Sequence, residues 1–358
     1  MSSSMGANLA AMREIDAGTA ADYLREHGHV PEGAKVHVRE LSGGVSNIVL
    51  RADIKGQPPF VIKQCRERLR VAMEWLAPLD RIWTETATLN VLGEILPEGT
   101  VPRVLFEDRP NYLFAMTCAP DEAVTWKSML MEGRIDPEIA GRLGEMLGTI
   151  HTEGAHHPAL RSTLADTSLF DSLRIDPYYR PVAQRHPDLA PRIASLIESM
   201  AAPPGGRTLV LGDFSPKNLL VHDAGLILLD FECAHAGDPA FDLGFFLTHL
   251  LMKEVRAIAS GASARYLGLT RDFWDTYLKR RALETAAAAE LIRQANLHTS
   301  ACSLARVDGK SPVEYLDEPG QAMARSFARR ALHEAPSSWG DFIHLFVDET
   351  QGATEWRR

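Results

Sequence analysis

The segment LVLGDFSPKNLLVHDAGLILLDFE, residues 209–232, constrains the architecture of this chain more than any other. Short apolar runs alternate in it with polar breaks, and Asp223-Ala224-Gly225 has the composition of a turn between two short strands. Asp213 stands five residues before Asn218, and Asp230 follows Asp213 by seventeen residues at the end of an apolar strand. A strand–turn–strand unit flanked by those three side chains has to sit where a cleft can use them. An Asp-x-x-x-x-Asn spacing alone arises by chance, and most acidic residues only face solvent. The ordered combination carries the reading.

Phosphoryl transfer needs a group that receives or orients the proton of the attacking hydroxyl, and hard oxygen ligands that hold magnesium against the phosphates. Asp213 fits the first requirement; Asn218 and Asp230 fit the second. The segment resembles the catalytic core of the aminoglycoside phosphotransferase and choline kinase superfamily, small-molecule relatives of the protein kinases. Its loop reads His-Gly-Asp, four residues, then Asn. Here Leu211 replaces the histidine ahead of Gly212 and Asp213. The resemblance makes that histidine a support for the loop and not the base, so the chemistry survives its loss. Asp230-Phe231-Glu232 is similar to the Asp-x-Glu arrangement of the methylthioribose kinase branch, which implies a further metal or substrate contact at Glu232. GDPAFDLGF, residues 237–245, resembles the helix start that follows the metal loop, where Asp242 braces the catalytic loop through backbone hydrogen bonds.

Upstream, residues 36–64 read as strands, with Lys63 inside the apolar run FVIKQ. A lysine buried there needs a phosphate or a carboxylate to offset its desolvation. The resemblance implies an ion pair with Glu85, twenty-two residues downstream on the helix DRIWTETATLNVLGEILP, and a grip on the nucleotide phosphates. The turn Ser42-Gly43-Gly44-Val45-Ser46-Asn47 sits where a nucleotide loop belongs; as a bare glycine pair between strands it is also an ordinary hairpin turn. VIKQCRERLRVAMEWLAPLDRIWTETATLNVL is similar to methylthioribose kinases in its lysine strand, its Arg-Val and Glu-Trp pattern and its Arg-containing helix. The resemblance also places adenine against the backbone of Met116 to Ala119, with Met116 and Cys118 as contacts.

A second strand pair is expected over VPRVLFED and NYLFAMT, after which helical patterns dominate. The expected fold is therefore α+β and bilobal, protein-kinase-like, with a small antiparallel-sheet lobe at 1–117 and a larger, mainly helical lobe at 118–358. The length of 358 residues agrees with two packed units. Arg174-Ile-Asp176-Pro-Tyr178-Tyr179-Arg180 reads as a proline-bounded loop that either contacts substrate or merely covers the surface. Trp126 and Lys127 either line the cleft or pack, and Arg306 to Pro312 is either a lid or a helix connection. His151 ends an apolar helix and is expected to pack or cap it.

Acidic residues outnumber basic ones by 47 to 38, for a net charge of -9, which argues against nucleic acid as a partner. An acidic surface tolerates a cationic substrate. Cys65, Cys118, Cys233 and Cys302 are too dispersed for a metal cluster and read as reduced, mostly buried thiols. No run of about 18 apolar residues is present, and the start lacks a signal-peptide pattern, so a cytoplasmic protein without a membrane anchor is expected. Three readings follow: an ATP- and Mg2+-dependent kinase of a sugar-like metabolite, the same chemistry on an aminoglycoside-type antibiotic, or a nucleotide-binding pseudokinase with a scaffolding role. A kinase of polypeptides is disfavoured, because no Ala-Pro-Glu signature or activation segment separates Glu232 from GDPAFD.

Overall fold

The structure, a computed structural model, describes residues 12–41, 47–66, 78–258 and 264–355. The turn residues Ser42, Gly43, Gly44 and Ser46 lie outside the described residues, as do the Arg-Val and Glu-Trp pairs near 70–75. Helix α1 (Ala20–Glu26) precedes a five-stranded antiparallel sheet built from β1 (Val36–Glu40), β2 (Asn47–Ile54), β3 (Phe60–Cys65), β4 (Val104–Asp108) and β5 (Leu113–Thr117), in the order β1-β2-β3-β5-β4. Helix α2 (Arg81–Ile95) connects β3 to β4. It ends where Leu96 turns extended ahead of Pro97, since the residue before a proline avoids the helical region.

Every residue of β3 is buried, because both faces of the sheet are covered. The two-residue period of a strand divides them. Phe60 and Ile62 join α1 in one core with Leu50, Ala115 and Tyr23, whereas Val61 and Cys65 join the core that continues into the helical lobe. Lys63 shares the parity of Val61 and Cys65, so it faces α2 and the cleft. Gln64, on the other face, takes the Ile15 amide at 2.9 Å.

The helical lobe holds a short strand β6 (Val124–Thr125), α3 (Trp126–Met131), α4 (Pro137–Gly154), α5 (Ser168–Phe170), α6 (Arg180–Arg185) and α7 (Ala190–Ala201). Then come β7 (Thr208–Val210), the hairpin β8 (Leu219–His222) and β9 (Gly225–Leu228), and β10 (His235–Gly237), which pairs with β7. Five helices follow among the described residues: α8 (Pro239–Ile258), α9 (Ala264–Arg281), α10 (Thr285–Asp308), α11 (Glu318–Glu334) and α12 (Trp339–Glu355). This is the bilobal α+β architecture expected from the sequence. The hairpin pairs Leu219 with Leu228 and His222 with Gly225, as the Asp223-Ala224-Gly225 turn requires.

Helix α8 is buried along nearly its whole length. Its approach to α10 is backbone-close, since a Cβ on Gly244 would stand 2.3 Å from the Cβ of His298. Glu254 of α8 is 1% exposed and accepts the backbone amides of Tyr266 and Leu267, which fastens the start of α9. Burial pushes its carboxyl up to about 8. A folded value above the unfolded one means the native state holds a proton that the unfolded chain releases, so stability falls as pH rises from about 4.5 to about 8. Glu254→Gln removes this dependence. Its melting temperature should gain on wild type between pH 5 and pH 8, by on the order of a few kcal/mol in stability. A melting difference that stays flat over that range would show Glu254 ionised throughout.

One sequence expectation is corrected. Residues 174–180 are not a loop: Asp171–Tyr179 forms a π-helical stretch that runs into α6 at Arg180. Pro177 supplies no N–H, so the regular helical ladder fails there and a wider turn takes its place. Arg306, similarly, belongs to α10, and the polar connection begins only after Asp308.

Candidate active site

The catalytic-loop candidates are set by backbone geometry at two points. Gly212 has φ of 73°, and a Cβ there would stand 2.7 Å from the Cys233 carbonyl oxygen, so no other residue fits the turn. Asp242, at the start of α8, accepts the amides of Leu211 at 2.7 Å and Gly212 at 2.8 Å, the bracing expected from the sequence. Its second support is His151, buried near the end of α4. Burial lowers the ring's pKa and keeps it neutral, so Nε2–H serves Asp242 at 3.3 Å while Nδ1 takes the Tyr277 hydroxyl at 2.8 Å. Leu211 itself is 2% exposed and packs in the core. The loop that a histidine supports elsewhere is held here by apolar packing and by Asp242.

Asp213, Asn218 and Asp230 line one pocket together with Phe214, Ser215 and Phe231. Asn218 Nδ2 donates to the Asp213 backbone carbonyl at 3.1 Å, which leaves Oδ1 as the atom that can ligate a cation. Asp230 has φ of 68°, a left-handed conformation that costs a non-glycine residue about 1 kcal/mol. That turn aims its carboxylate across the cleft at Lys63 Nζ, 2.9 Å away.

Lys63 also meets Glu85, at 2.6 Å from Oε2 and 2.8 Å from Oε1. The ion pair expected from the resemblance is thus formed, and Asp230 joins it. Burial opposes the lysine's charge, but Asp230, Glu85 and Glu232 outweigh it and raise its pKa. Burial alone would likewise raise the Asp230 carboxyl; Lys63, Lys217 and Arg174 overcome it and bring the value down to about 2. Glu85 is pushed up by burial, against the pull of Lys63. We read the triad as one ammonium facing two carboxylates, because Lys63 keeps its proton. Its surplus negative charge and hard oxygens suit a divalent cation.

Two cations converge on Asp213. Arg174 Nη2 lies 2.9 Å from Oδ2 and Lys217 Nζ lies 2.8 Å from it. Arg174 is mostly buried and is fixed by bonds to the carbonyls of Gly212 at 2.5 Å and Leu173 at 2.6 Å, whereas Lys217 is half exposed. Neither role was evident from sequence. Lys217 lies within the Asp213–Asn218 spacing, and Arg174 within the segment expected to be a loop.

Glu232, expected as a metal or substrate contact, is held at Oε2 by Arg81 Nε and Asn47 Nδ2, each at 3.2 Å. Arg81 begins α2 and is 0% exposed; Asn47 begins β2. Met116 is buried in β5, and Cys118 follows the strand half-buried. Trp126 is fully buried against Phe246, and Lys127 pairs with Glu314 at 3.0 Å. Cys65, Cys233 and Cys302 are buried, and all four cysteines are free thiols. Among the described residues no cluster of three or more His, Cys, Asp and Glu is arranged for a metal, and no helix is long and apolar enough to cross a membrane.

Comparison with known proteins agrees with this geometry. Residues 37–283 match the model of the phosphotransferase enzyme family, APH. Methylthioribose kinase of Yersinia enterocolitica is 27% identical over 262 residues, a match that spans 66% of this chain and 65% of that protein. Methylthioribose kinase of Yersinia pseudotuberculosis serotype IB is 25% identical over 366 residues, spanning 88% and 89%. Among solved structures, an amicoumacin kinase in complex with AMP-PNP, Ca2+ and Ami superposes with a TM-score of 0.57 at 16% identity, covering 91% of this chain and 96% of the other. Choline kinase of Cryptosporidium parvum gives 0.55 at 10% identity, covering 95% and 97%. Those structures share the protein-kinase-like fold. With more than half its length under the family model and the Asp213, Asn218 and Asp230 group gathered in one pocket, the chain belongs to the phosphotransferase enzyme family.

Proposed function

We propose that this chain is an ATP-dependent kinase that phosphorylates a hydroxyl group of a small molecule, with lobes at 1–117 and 118–358 and the nucleotide between them. The observation that carries this reading is the meeting of Lys63, from the sheet, with Asp230, from the helical lobe, in the cleft whose floor holds Asp213 and Asn218. The kinase relatives support it, as does the position of the sheet's last residue in sequence, Thr117.

Lys63, held by Glu85, grips the α and β phosphates. Met116 and Cys118 border the adenine. Asn218 Oδ1 and Asp230 would hold magnesium, with Glu232 beside them keeping Arg81 and Asn47 in place. When bound, such an ion would supply positive charge to offset the negative charge that develops on the transferring phosphoryl group. Asp213 accepts the hydrogen bond of the acceptor hydroxyl and takes its proton as the oxygen attacks the γ-phosphorus in line. Lys217, half exposed and paired with Asp213, would add positive charge beside the transferring phosphoryl group. Positioning and charge neutralisation supply most of the acceleration.

A pseudokinase reading draws no support from missing residues, since Lys63, Asp213, Asn218 and Asp230 are all present. The direct test is ADP release from Mg-ATP with a panel of polyols, sugars, amino alcohols and hydroxy acids, with and without EDTA. Metal-dependent turnover stimulated by one class supports the reading. Failure to bind ATP at all would sink it.

A further inference from the structure

We propose that the acceptor is an anion, a hydroxyl compound that also carries a carboxylate or phosphate group, and that Lys253 and Arg306 receive that group. The inference rests on the kinase reading of the cleft and names its substrate class.

Helix α8 presents Phe245, His249 and Lys253 four residues apart, on one face. The face begins at the catalytic loop: the Arg174 guanidinium that bonds Asp213 lies 5.5 Å from the Phe245 ring. Phe245 then meets Tyr178 at 5.6 Å and His249 at 5.1 Å between ring centroids. Further along, Lys253 Nζ stands 5.5 Å from the Tyr315 ring, and Arg306 Nη1 donates to the Tyr178 hydroxyl at 3.2 Å. A continuous wall therefore runs from Asp213 to Lys253 and Arg306.

The charge on this wall is unbalanced. Lys253 is 2% exposed, yet its ammonium bonds only the His249 carbonyl, at 3.1 Å, and no carboxylate pairs with it among the described residues. Burial, then Lys127 and Arg306, push it down to about 7. The carboxylate nearest in sequence to Tyr315, Glu314, is already engaged by Lys127 at 3.0 Å. A buried ammonium without a carboxylate partner gives up its proton readily, and an anion placed beside it would restore the charged form.

Three polar atoms near it are also buried without a hydrogen-bond partner among the described residues: His249 Nε2, Arg306 Nε and the Tyr315 hydroxyl. An oxyanion satisfies donors of this kind with short, charge-assisted hydrogen bonds, and its charge answers Lys253. A polycation would meet Lys253 and Arg306, neither of which has a carboxylate ion-pair partner among the described residues, with repulsion. The overall charge of -9 therefore does not set the sign of the charge around Lys253 and Arg306.

The test compares matched acceptors on the full chain by isothermal titration calorimetry, with and without Mg-AMP-PNP: glycerate against glycerol, ribonate against ribitol, glucose 6-phosphate against glucose, with inorganic phosphate and gentamicin alongside. The acidic member of at least one pair should bind about tenfold or more tighter than its neutral partner. Lys253→Met should erase that margin and leave AMP-PNP affinity unchanged, while Lys253→Arg retains it. Because Lys253→Met replaces a buried amine that has no carboxylate partner among the described residues, its melting temperature should not drop, which separates lost binding from lost folding. Neutral compounds or gentamicin binding as tightly as every acid, a margin that survives Lys253→Met, or no acid binding at all would overturn the proposal. Loss of AMP-PNP binding in wild type is a different result and strikes the kinase reading.

Discussion

Asp213→Asn should lower kcat by about 10²- to 10⁴-fold, the range associated with removing a positioned general base, while nucleotide affinity stays close to wild type. The asparagine keeps the shape of the side chain and loses the ability to accept the hydroxyl proton. It also releases both cations, but Arg174 retains its bonds to the carbonyls of Gly212 and Leu173, so the loop should hold its form. Single-turnover ADP formation, together with AMP-PNP titration, measures the two effects separately. A kcat within tenfold of wild type would remove Asp213 from the chemistry and move proton acceptance to solvent or to another group.

Lys63→Met should act on both stability and turnover. The methionine leaves Glu85, 2% exposed, without its ammonium, and breaking one partner of a buried pair costs about 3–5 kcal/mol. Part of that cost is avoidable, because burial already pushes the Glu85 carboxyl upward and a protonated Glu85 needs no counter-charge. The double variant Lys63→Met with Glu85→Met should therefore recover much of the lost melting temperature. Turnover should not recover: the loss of one electrostatic contact to the phosphates is worth about 10²- to 10³-fold, and the apolar pair offers nothing in its place. Thermal unfolding of the single and double variants, set beside kcat/KM for ATP, distinguishes a structural ion pair from a phosphate ligand. Restoration of activity in the double variant would leave Lys63 with a structural role alone.

The sheet and the catalytic loop were legible in the sequence because their signals are local. FVIKQ is an apolar run of the kind that buries Lys63, and Asp213, Asn218 and Asp230 are tied to one strand–turn–strand unit. Asp242 was placed by the resemblance of GDPAFDLGF to a family helix start, though its partner His151 was not, since nothing in the α4 pattern points at α8. Arg174 was hidden for a related reason. It reaches Asp213 from thirty-nine residues upstream, out of a π-helical stretch whose proline reads as a loop signal. Glu232 was found as a residue of interest, but its partners Arg81 and Asn47 come from two elements of the other lobe, and spacing along the chain carries no information about such a meeting. Lys253 was missed altogether: a lysine on a helix reads as a solvated residue, and only the packing of α8 between α9 and α10 buries it.

Helix α8 joins two duties on one rod. Its first turn holds the backbone of the catalytic loop through Asp242, and its later turns carry Phe245, His249 and Lys253. Divergence within such a scaffold has an easy route: exchange of side chains further along the helix would change what the proposed acceptor site takes, while the first turn, and with it the backbone that carries Asp213, stays fixed. Acquisition of a new acceptor then needs no reinvention of the chemistry. A library restricted to positions 245, 249 and 253 should yield altered preferences far more often than one of equal size spread over the loop it supports.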